Sequence, residues 1–276
     1  MNTLSIDKKF ENLKRLLSEY GRIAIAFSGG VDSTFLAHVA YETLGNDNTI
    51  ALTAVTKLVP ESEIDESKTI AVDIGINHHL VKMDLLTSKK INSNPPDRCY
   101  VCKKTIFTHL IDEAKKSGFN LLADGSNFDD TGDYRPGMKA IKELGVKSPL
   151  IEAGLTKQDI RDLSKELSIK GSDRPASPCL ATRIPYNTGI TEPLLKKIEL
   201  AEKFLKSLGY NQVRVRAHGD IARIEVDANL FDKILRERER IISELQNIGF
   251  KYISLDLNGF KSGSMNRSIL ESNNDD

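Results

Sequence analysis

Over residues 1–170 the chain alternates between helical and strand periodicities. Leucines and a phenylalanine recur at helical spacing from Ile6 to Ser18, the stripe of an amphipathic helix. The apolar run Arg22 to Phe27 comes next, and its lack of alternation suits a strand buried on both faces of a parallel sheet. Ser28-Gly29-Gly30 breaks the run, and Phe35, Leu36, Val39 and Ala40 then mark the apolar face of a helix. The same rhythm predicts a strand over Thr49–Val55, a helix over Glu61–Ile74 and a strand over His79–Met83. Beyond the loop containing Pro95 and Pro96 it predicts a helix over Cys102–Ser117, a strand over Leu121–Asp124, a helix over Gly137–Leu144, a strand over Val146–Leu150 and a helix over Lys157–Leu167. Alternating strands and helices predict an α/β domain with a mostly parallel sheet, which binds ligands at its strand ends.

From Gly171 to Gly189 the pattern lapses, with Pro175, Pro178 and Pro185 spaced too closely for a helix. It restarts with a helix over Glu192–Leu208, strands over Gln212–Ala217 and Ile221–Val226, a helix over Leu230–Ile248 and a strand over Tyr252–Leu257. This reads as a smaller α+β unit with antiparallel strands. The expected division is therefore a first domain over 1–170, a connecting segment over 171–190 that carries Cys179, and a second domain over 191–276. The charged run Arg236 to Arg240 reads as a solvated helix face.

Charge and cysteine usage narrow the class. Lys plus Arg and Asp plus Glu both number 39, so the 276-residue chain has no formal net charge, which argues against nucleic-acid binding through bulk charge. No apolar run reaches a membrane-spanning length and the start lacks a signal-peptide core, so a cytoplasmic location is expected. Three cysteines are too few, and odd in number, for a disulfide framework; in a reducing compartment they point to thiol, metal or cluster chemistry.

The segment Phe27-Ser-Gly-Gly-Val-Asp-Ser-Thr34 lies between a buried strand and a helix. Small residues let the backbone close around an anion, N–H groups at the helix start point at it, and Ser28, Ser33 and Thr34 add hydroxyls. Without a lysine before the Ser/Thr it is not the usual triphosphate P-loop, and Asp32 inside the loop is placed to hold Mg²⁺ against a departing pyrophosphate. The octapeptide resembles the PP-loop of ATP pyrophosphatases, which activate a substrate as its adenylate. That resemblance implies phosphate contacts at Ser28, Gly29, Gly30, Asp32, Ser33 and Thr34, adenosine near Ala26 and Thr53 or Val55, and a later strand-end motif, Leu122 to Asn127, in which Asp124 and Gly125 close over the nucleotide.

Cys99 and Cys102 form a CxxC at the start of a predicted helix, and Cys179 lies in the proline-rich segment. The helix N-terminus together with Arg98, Lys103 and Lys104 favours thiolates. Three thiolates suit a [4Fe–4S] cluster with one iron left open, whereas structural zinc would want a fourth ligand. On the residues alone, a catalytic or sacrificial cysteine and plain core cysteines stay open beside these. Arg214 and Arg216 alternate on a strand, so both face one way, an arrangement that suits a phosphate as well as an exposed charged face.

The combination of the PP-loop with Asp133-Tyr-Arg-Pro-Gly137, Pro175-Ala-Ser177, Arg183-Ile-Pro-Tyr186, Val213-Arg-Val-Arg216, Asp220 to Glu225 and Leu255 to Gly263 resembles the LarE family of ATP-dependent sulfur transferases, across essentially the whole chain. The resemblance implies that a pyridinium dicarboxylate mononucleotide is adenylated on a carboxylate with loss of pyrophosphate, and that sulfur then displaces AMP. In the family this leaves a thiocarboxylate, on the way to the nickel-pincer nucleotide cofactor of lactate racemase. It also implies ATP and Mg²⁺ as cofactors, a homo-oligomer, a sulfide donor as partner, and substrate contacts at Lys103, Arg183, Glu202, Arg214, Arg216 and Glu225, with Asp130 at a further family active-site position. Some members sacrifice a single cysteine. The three cysteines here resemble instead the members in which Cys99, Cys102 and Cys179 would hold a [4Fe–4S] cluster whose open iron delivers sulfide. A cluster-dependent tRNA thiolase, an amidating synthetase and a regulatory ATP binder are the alternatives.

Overall fold

The computed structural model describes residues 4–132, 136–171 and 178–261. Asp133-Tyr134-Arg135, Pro175-Ala176-Ser177 and Ser262-Gly263, singled out in the sequence, lie outside the described residues. The chain divides into two compact units: residues 1–84 with 99–177, and residues 85–98 with 178–276.

The first unit holds a four-stranded parallel sheet in the order β3-β2-β1-β4, formed by β1 (Ile23–Ala26), β2 (Thr49–Val55), β3 (His78–Lys82) and β4 (Leu122–Ala123). Helices α1 (Ile6–Tyr20), α2 (Val31–Leu44), α3 (Glu61–Ile74), α5 (Arg98–Lys116), α6 (Pro136–Glu143) and α8 (Lys157–Glu166) accompany it, with the single turn α7 (Pro149–Glu152); the single turn α4 (Lys89–Asn92) belongs to the second unit. Alternation along β1 feeds two cores. Ile23 and Ile25 pack with Leu13, Leu17, Phe35 and Leu36, whereas Ala24 packs with Leu52, Phe107, Leu110 and Ile141. Thr156 starts α8 with a reciprocal capping box, accepting from the Asp159 N–H while the Asp159 carboxylate accepts from the Thr156 N–H.

Two expectations here need correction. Val146–Leu150 is not a strand: a single bridge pairs Ala123 with Lys147, and the chain turns into α7 at Pro149. Proline has no N–H for a ladder and its fixed φ suits the first turn of a helix. The helix expected from Cys102 begins at Arg98, four residues earlier, so both Cys99 and Cys102 fall within its opening turns.

In the second unit, α9 (Glu192–Ser207) is capped by Thr191, whose hydroxyl accepts from the Leu194 N–H. It accompanies a sheet in the order β5-β6-β7, from β5 (Val213–His218), β6 (Ile221–Val226) and β7 (Tyr252–Leu255). β5 and β6 are antiparallel, as the sequence predicts, but β7 lies parallel to β6, because the intervening helices return the chain to the same end of the sheet. Those helices are two, α10 (Phe231–Arg236) and α11 (Arg238–Ile248), where one was expected. The break falls at Glu237, whose carboxylate accepts a 2.8 Å bond from the Tyr210 hydroxyl.

The Leu85–Arg98 segment is fastened inside this unit by Asn94. Its amide donates to the carbonyls of Ile184 and Pro185 (3.2 and 2.8 Å), and its own carbonyl accepts from the Asn187 N–H at 2.8 Å. Asn94 has φ 57°, a left-handed conformation that asparagine tolerates better than most residues. The buried Arg98 guanidinium donates to Asn94 and to the Ala181 carbonyl.

The side chain of Phe35 is fully buried and its ring meets that of Phe10 at 6.2 Å. Phe35→Ala is expected to lower unfolding stability by about 3–5 kcal/mol, measured by equilibrium urea denaturation, because the surrounding core cannot collapse into the space.

Candidate functional site

The loop after β1 is built by its own hydroxyls. Phe27 still belongs to the sheet, its N–H donating to Leu52 O at 2.9 Å, and Gly29 then takes φ 71°, which glycine adopts at little cost. Ser33 Oγ donates to Gly30 O (3.0 Å) and accepts from the Ser28 N–H (3.3 Å), while Ser28 Oγ accepts from the Gly30 N–H (3.3 Å). These bonds fold the loop over the start of α2, where the first-turn N–H groups and the helix dipole favour an anion.

Two glycines are demanded by close approach. A Cβ on Gly125 would lie 2.8 Å from Ser33 N and 2.9 Å from Ser33 Cα, so the strand-end motif presses backbone to backbone on the start of α2. A Cβ on Gly29 would come within 3.2 Å of Ser67 Cα on α3.

Asp32 sits in the first turn of α2. Its Oδ2 accepts from Asn127 Nδ2 at 3.1 Å, while its buried Oδ1 has no hydrogen-bond partner. Burial raises its pKa, against the lowering effects of the Asn127 bond, Lys157 and Arg161. A half-satisfied buried carboxylate is a fitting donor for a divalent cation, which takes oxygen ligands. Asn127, Lys157 and Arg161 escape the sequence reading. Asn127 ends the expected strand-end motif and was legible by position; nothing in the pattern marks the two cations.

Two of the expected nucleotide contacts have side chains with internal work. Thr53 Oγ1 donates to Phe27 O at 2.6 Å and meets His78 Nε2 at 2.7 Å. The Asp124 carboxylate accepts from the Ser126 and Ser148 hydroxyls, the latter at 2.7 Å. Ala26 ends β1, and Lys103 lies with its Nζ 5.7 Å from the centre of the Phe107 ring.

In the second unit, the expected substrate residues come together in one buried charge cluster. Arg183 makes a two-pronged pair with Glu202, Nε to Oε1 and Nη2 to Oε2, both at 2.9 Å. Its Nη1 donates to the carbonyls of Pro178 and Cys179 at 2.5 and 3.0 Å, so this arginine holds the backbone turn that carries Cys179. Arg216 donates to Glu225 Oε2 at 2.7 Å and to Thr182 O at 2.9 Å, and Glu202 Oε1 also accepts from the Val215 N–H. Arg214 lies with its guanidinium 5.4 Å from the centre of the Phe260 ring; burial and the neighbouring Arg183 and Arg216 push its pKa down to about 10. It is still a cation at neutral pH.

None of the three cysteines forms a disulfide; Cys99 is exposed and the other two are half-buried. Cys99 and Cys102 are three residues apart on one helix and belong to the first unit; Cys179 belongs to the second. Among the described residues, no three His, Cys, Asp or Glu side chains converge as a metal site. No described helix is long and apolar enough to cross a membrane.

A family model described as NAD synthase matches residues 6–96, the stretch that contains the loop. An uncharacterized protein of Synechocystis sp. is 41% identical, over 96% of this chain and all of its own. The pyridinium-3,5-bisthiocarboxylic acid mononucleotide synthase of Lactiplantibacillus plantarum is 38% identical over 98% of both chains. An uncharacterized protein of Methanocaldococcus jannaschii is 34% identical over 92% of this chain and 98% of its own. With the nucleotide loop and the arginine cluster both inside those alignments, the chain belongs to the LarE family, that of the pyridinium-3,5-bisthiocarboxylic acid mononucleotide synthase.

Proposed function

We propose that the protein is an ATP-dependent sulfur transferase that converts carboxylates of a pyridinium dicarboxylate mononucleotide into thiocarboxylates, for a nickel-pincer nucleotide cofactor. The observation that carries this reading is the match over 98% of both chains to a synthase named for that product. A carboxylate is a poor electrophile, so its oxygen first attacks the α-phosphorus of ATP and pyrophosphate leaves. Sulfide then attacks the acyl carbon and AMP leaves.

The N–H groups of the loop and the start of α2 would hold the phosphates and stabilise charge on the departing pyrophosphate. Asp32 would hold Mg²⁺ through its unpartnered oxygen, and the metal would supply neutralisation of phosphate charge. Arg214 and Arg216 would take the mononucleotide phosphate, with Arg183, Glu202 and Glu225 fixing the cluster's geometry. Lys103 would lie along the substrate.

For the cysteines we favour a [4Fe–4S] cluster. Cys99 and Cys102, three residues apart on one helix, and Cys179 would supply its three thiolates, and the cluster would supply a site at which sulfide is held ready for transfer. A sulfide donor, assembly as a homo-oligomer, a cytoplasmic location and use of the product by lactate racemase accompany the reading.

Asp32→Asn is expected to abolish ATP-dependent pyrophosphate release. Because burial raises the Asp32 pKa, the fold penalises the charged form; the penalty is absent below the unfolded carboxylate pKa and complete above the folded one. Metal-free Asp32→Asn protein should therefore melt above the wild type at pH 8, with the gap closing as pH falls through the carboxylate range. A lower melting point at pH 8 would remove the argument for an uncompensated charge. For the cluster, iron and acid-labile sulfide are measured after anaerobic reconstitution. About four of each per chain, lost in Cys99→Ser, Cys102→Ser and Cys179→Ser alike, is the expected result. Absence of iron, with one sulfur lost from the intact mass after turnover, would replace the cluster with a sacrificial cysteine.

A further inference from the structure

The peptide plane that joins Phe27 to Ser28, where β1 gives way to the loop, is held at both of its polar ends. Strand register brings Phe27, one residue past the Ala26–Leu52 pair, level with Thr53. It also sets His78 opposite Ala51, two residues before Thr53 and therefore on the same face of the sheet. The Phe27 carbonyl accepts from the Thr53 hydroxyl at 2.6 Å. The Ser28 N–H, which a trans peptide points the other way, donates to Ser33 Oγ at 3.3 Å. Ser33 Oγ in turn donates at 3.0 Å to the carbonyl of Gly30, the N-cap residue of α2. On the far side, Thr53 Oγ1 meets His78 Nε2 at 2.7 Å, and the His78 and Phe27 rings stand edge to face with 5.6 Å between centres. Thr53 is 3% exposed, so bulk water does not replace a partner lost there.

A threonine hydroxyl has one proton to give. A carbonyl can only accept, so that proton is committed to Phe27 and a lone pair of the hydroxyl faces His78. Nε2 must then carry a hydrogen. We propose that His78 is a positioning residue of the nucleotide loop: in its Nε2–H form it donates to Thr53 and heads a chain of hydrogen bonds that runs through the Phe27–Ser28 peptide to Ser33 and the cap of α2. Every donor in the chain points the same way, so each link polarises the next. The assignment rests on the reading of the loop as a phosphate site. What the chain contributes there is orientation: a turn of the Phe27–Ser28 plane would release Ser33 and swing the N–H groups that follow away from a phosphate. Burial, then His79 and Lys68, hold the His78 pKa below its usual value, so at pH 8 the ring is neutral and Nδ1 carries the lone pair.

The tautomer is read directly on the wild type. Nitrogen–proton NMR correlation of the imidazole at pH 8 should place the proton on Nε2, and a proton on Nδ1 overturns the proposal. Calorimetric binding of ATP with Mg²⁺ to the full chain tests the positioning. Thr53→Val and His78→Leu should each weaken binding about tenfold, the scale of one hydrogen bond. The double variant should lie within about twofold of either single one, because the two residues act through one chain. His78→Gln, whose amide keeps an N–H donor, should recover most of the loss, which a role in packing alone would not. Thr53→Val keeps the shape of the side chain and carries the test if His78→Leu does not fold. Losses that multiply in the double variant, no recovery in His78→Gln, or unchanged binding in Thr53→Val each overturn the proposal. A wild type with the Nε2–H tautomer that binds no ATP would overturn the phosphate reading of the loop, and the positioning role with it.

Discussion

A charge taken out of water must be answered by another charge or by aligned dipoles, and both candidate sites are organised around that requirement. In the first unit the answer is left incomplete. Asp32 is buried with one oxygen bonded to Asn127 and the other unpartnered, beside a helix start whose N–H groups favour negative charge. In the second unit the balance is struck with guanidinium groups in excess. Arg183, Arg214, Arg216 and Arg223 gather around Glu202, Glu225 and Asp256, and the two glutamates are tied to arginines by bonds of 2.7–3.1 Å. In the proposed reading, the first would take a cation among phosphates and the second would take an anionic ligand.

The two carboxylates of the arginine cluster do different work from the arginines they hold. Glu202 fixes Arg183 and accepts from the backbone of β5, so it links the Cys179 turn to the sheet. Glu225 is fully buried and keeps two opposed guanidinium groups on one rung. Removing either would leave buried positive charges without a counter-ion, which costs more than the pair contributes. They position the site; the arginines are what a ligand would meet.

Much of this was legible in the chain. The bounds of β2 and α3 fall where the hydrophobic pattern puts them, because a fully apolar run and an acidic-started amphipathic stretch leave few alternatives. The loop was legible because glycines, hydroxyls and an aspartate at that spacing have a stereochemical purpose. The Val146–Leu150 segment misled because its apolar residues suit a strand while Pro149 forbids the ladder; periodicity does not weigh a missing N–H. The break at Glu237, where a Tyr210 hydroxyl donates to the side chain, has no mark in the periodicity, and the second unit's mixed sheet depends on where two helices return the chain. Asn127 beside Asp32 and Arg223 opposite Arg216 are likewise pairings made in space.

The Leu85–Arg98 segment has a consequence for how this molecule is made. Its hydrogen-bond partners, Ala181, Ile184, Pro185 and Asn187, leave the ribosome long after it does. Until they arrive, the segment is a tether with its Asn94 and Arg98 side chains waiting in solvent, and the second unit cannot close. The second unit is therefore discontinuous in the gene. A fragment beginning at Pro178 would lack a piece of its own interior, and a stop codon shortly before Pro178 would release a first unit with part of another domain strung through it.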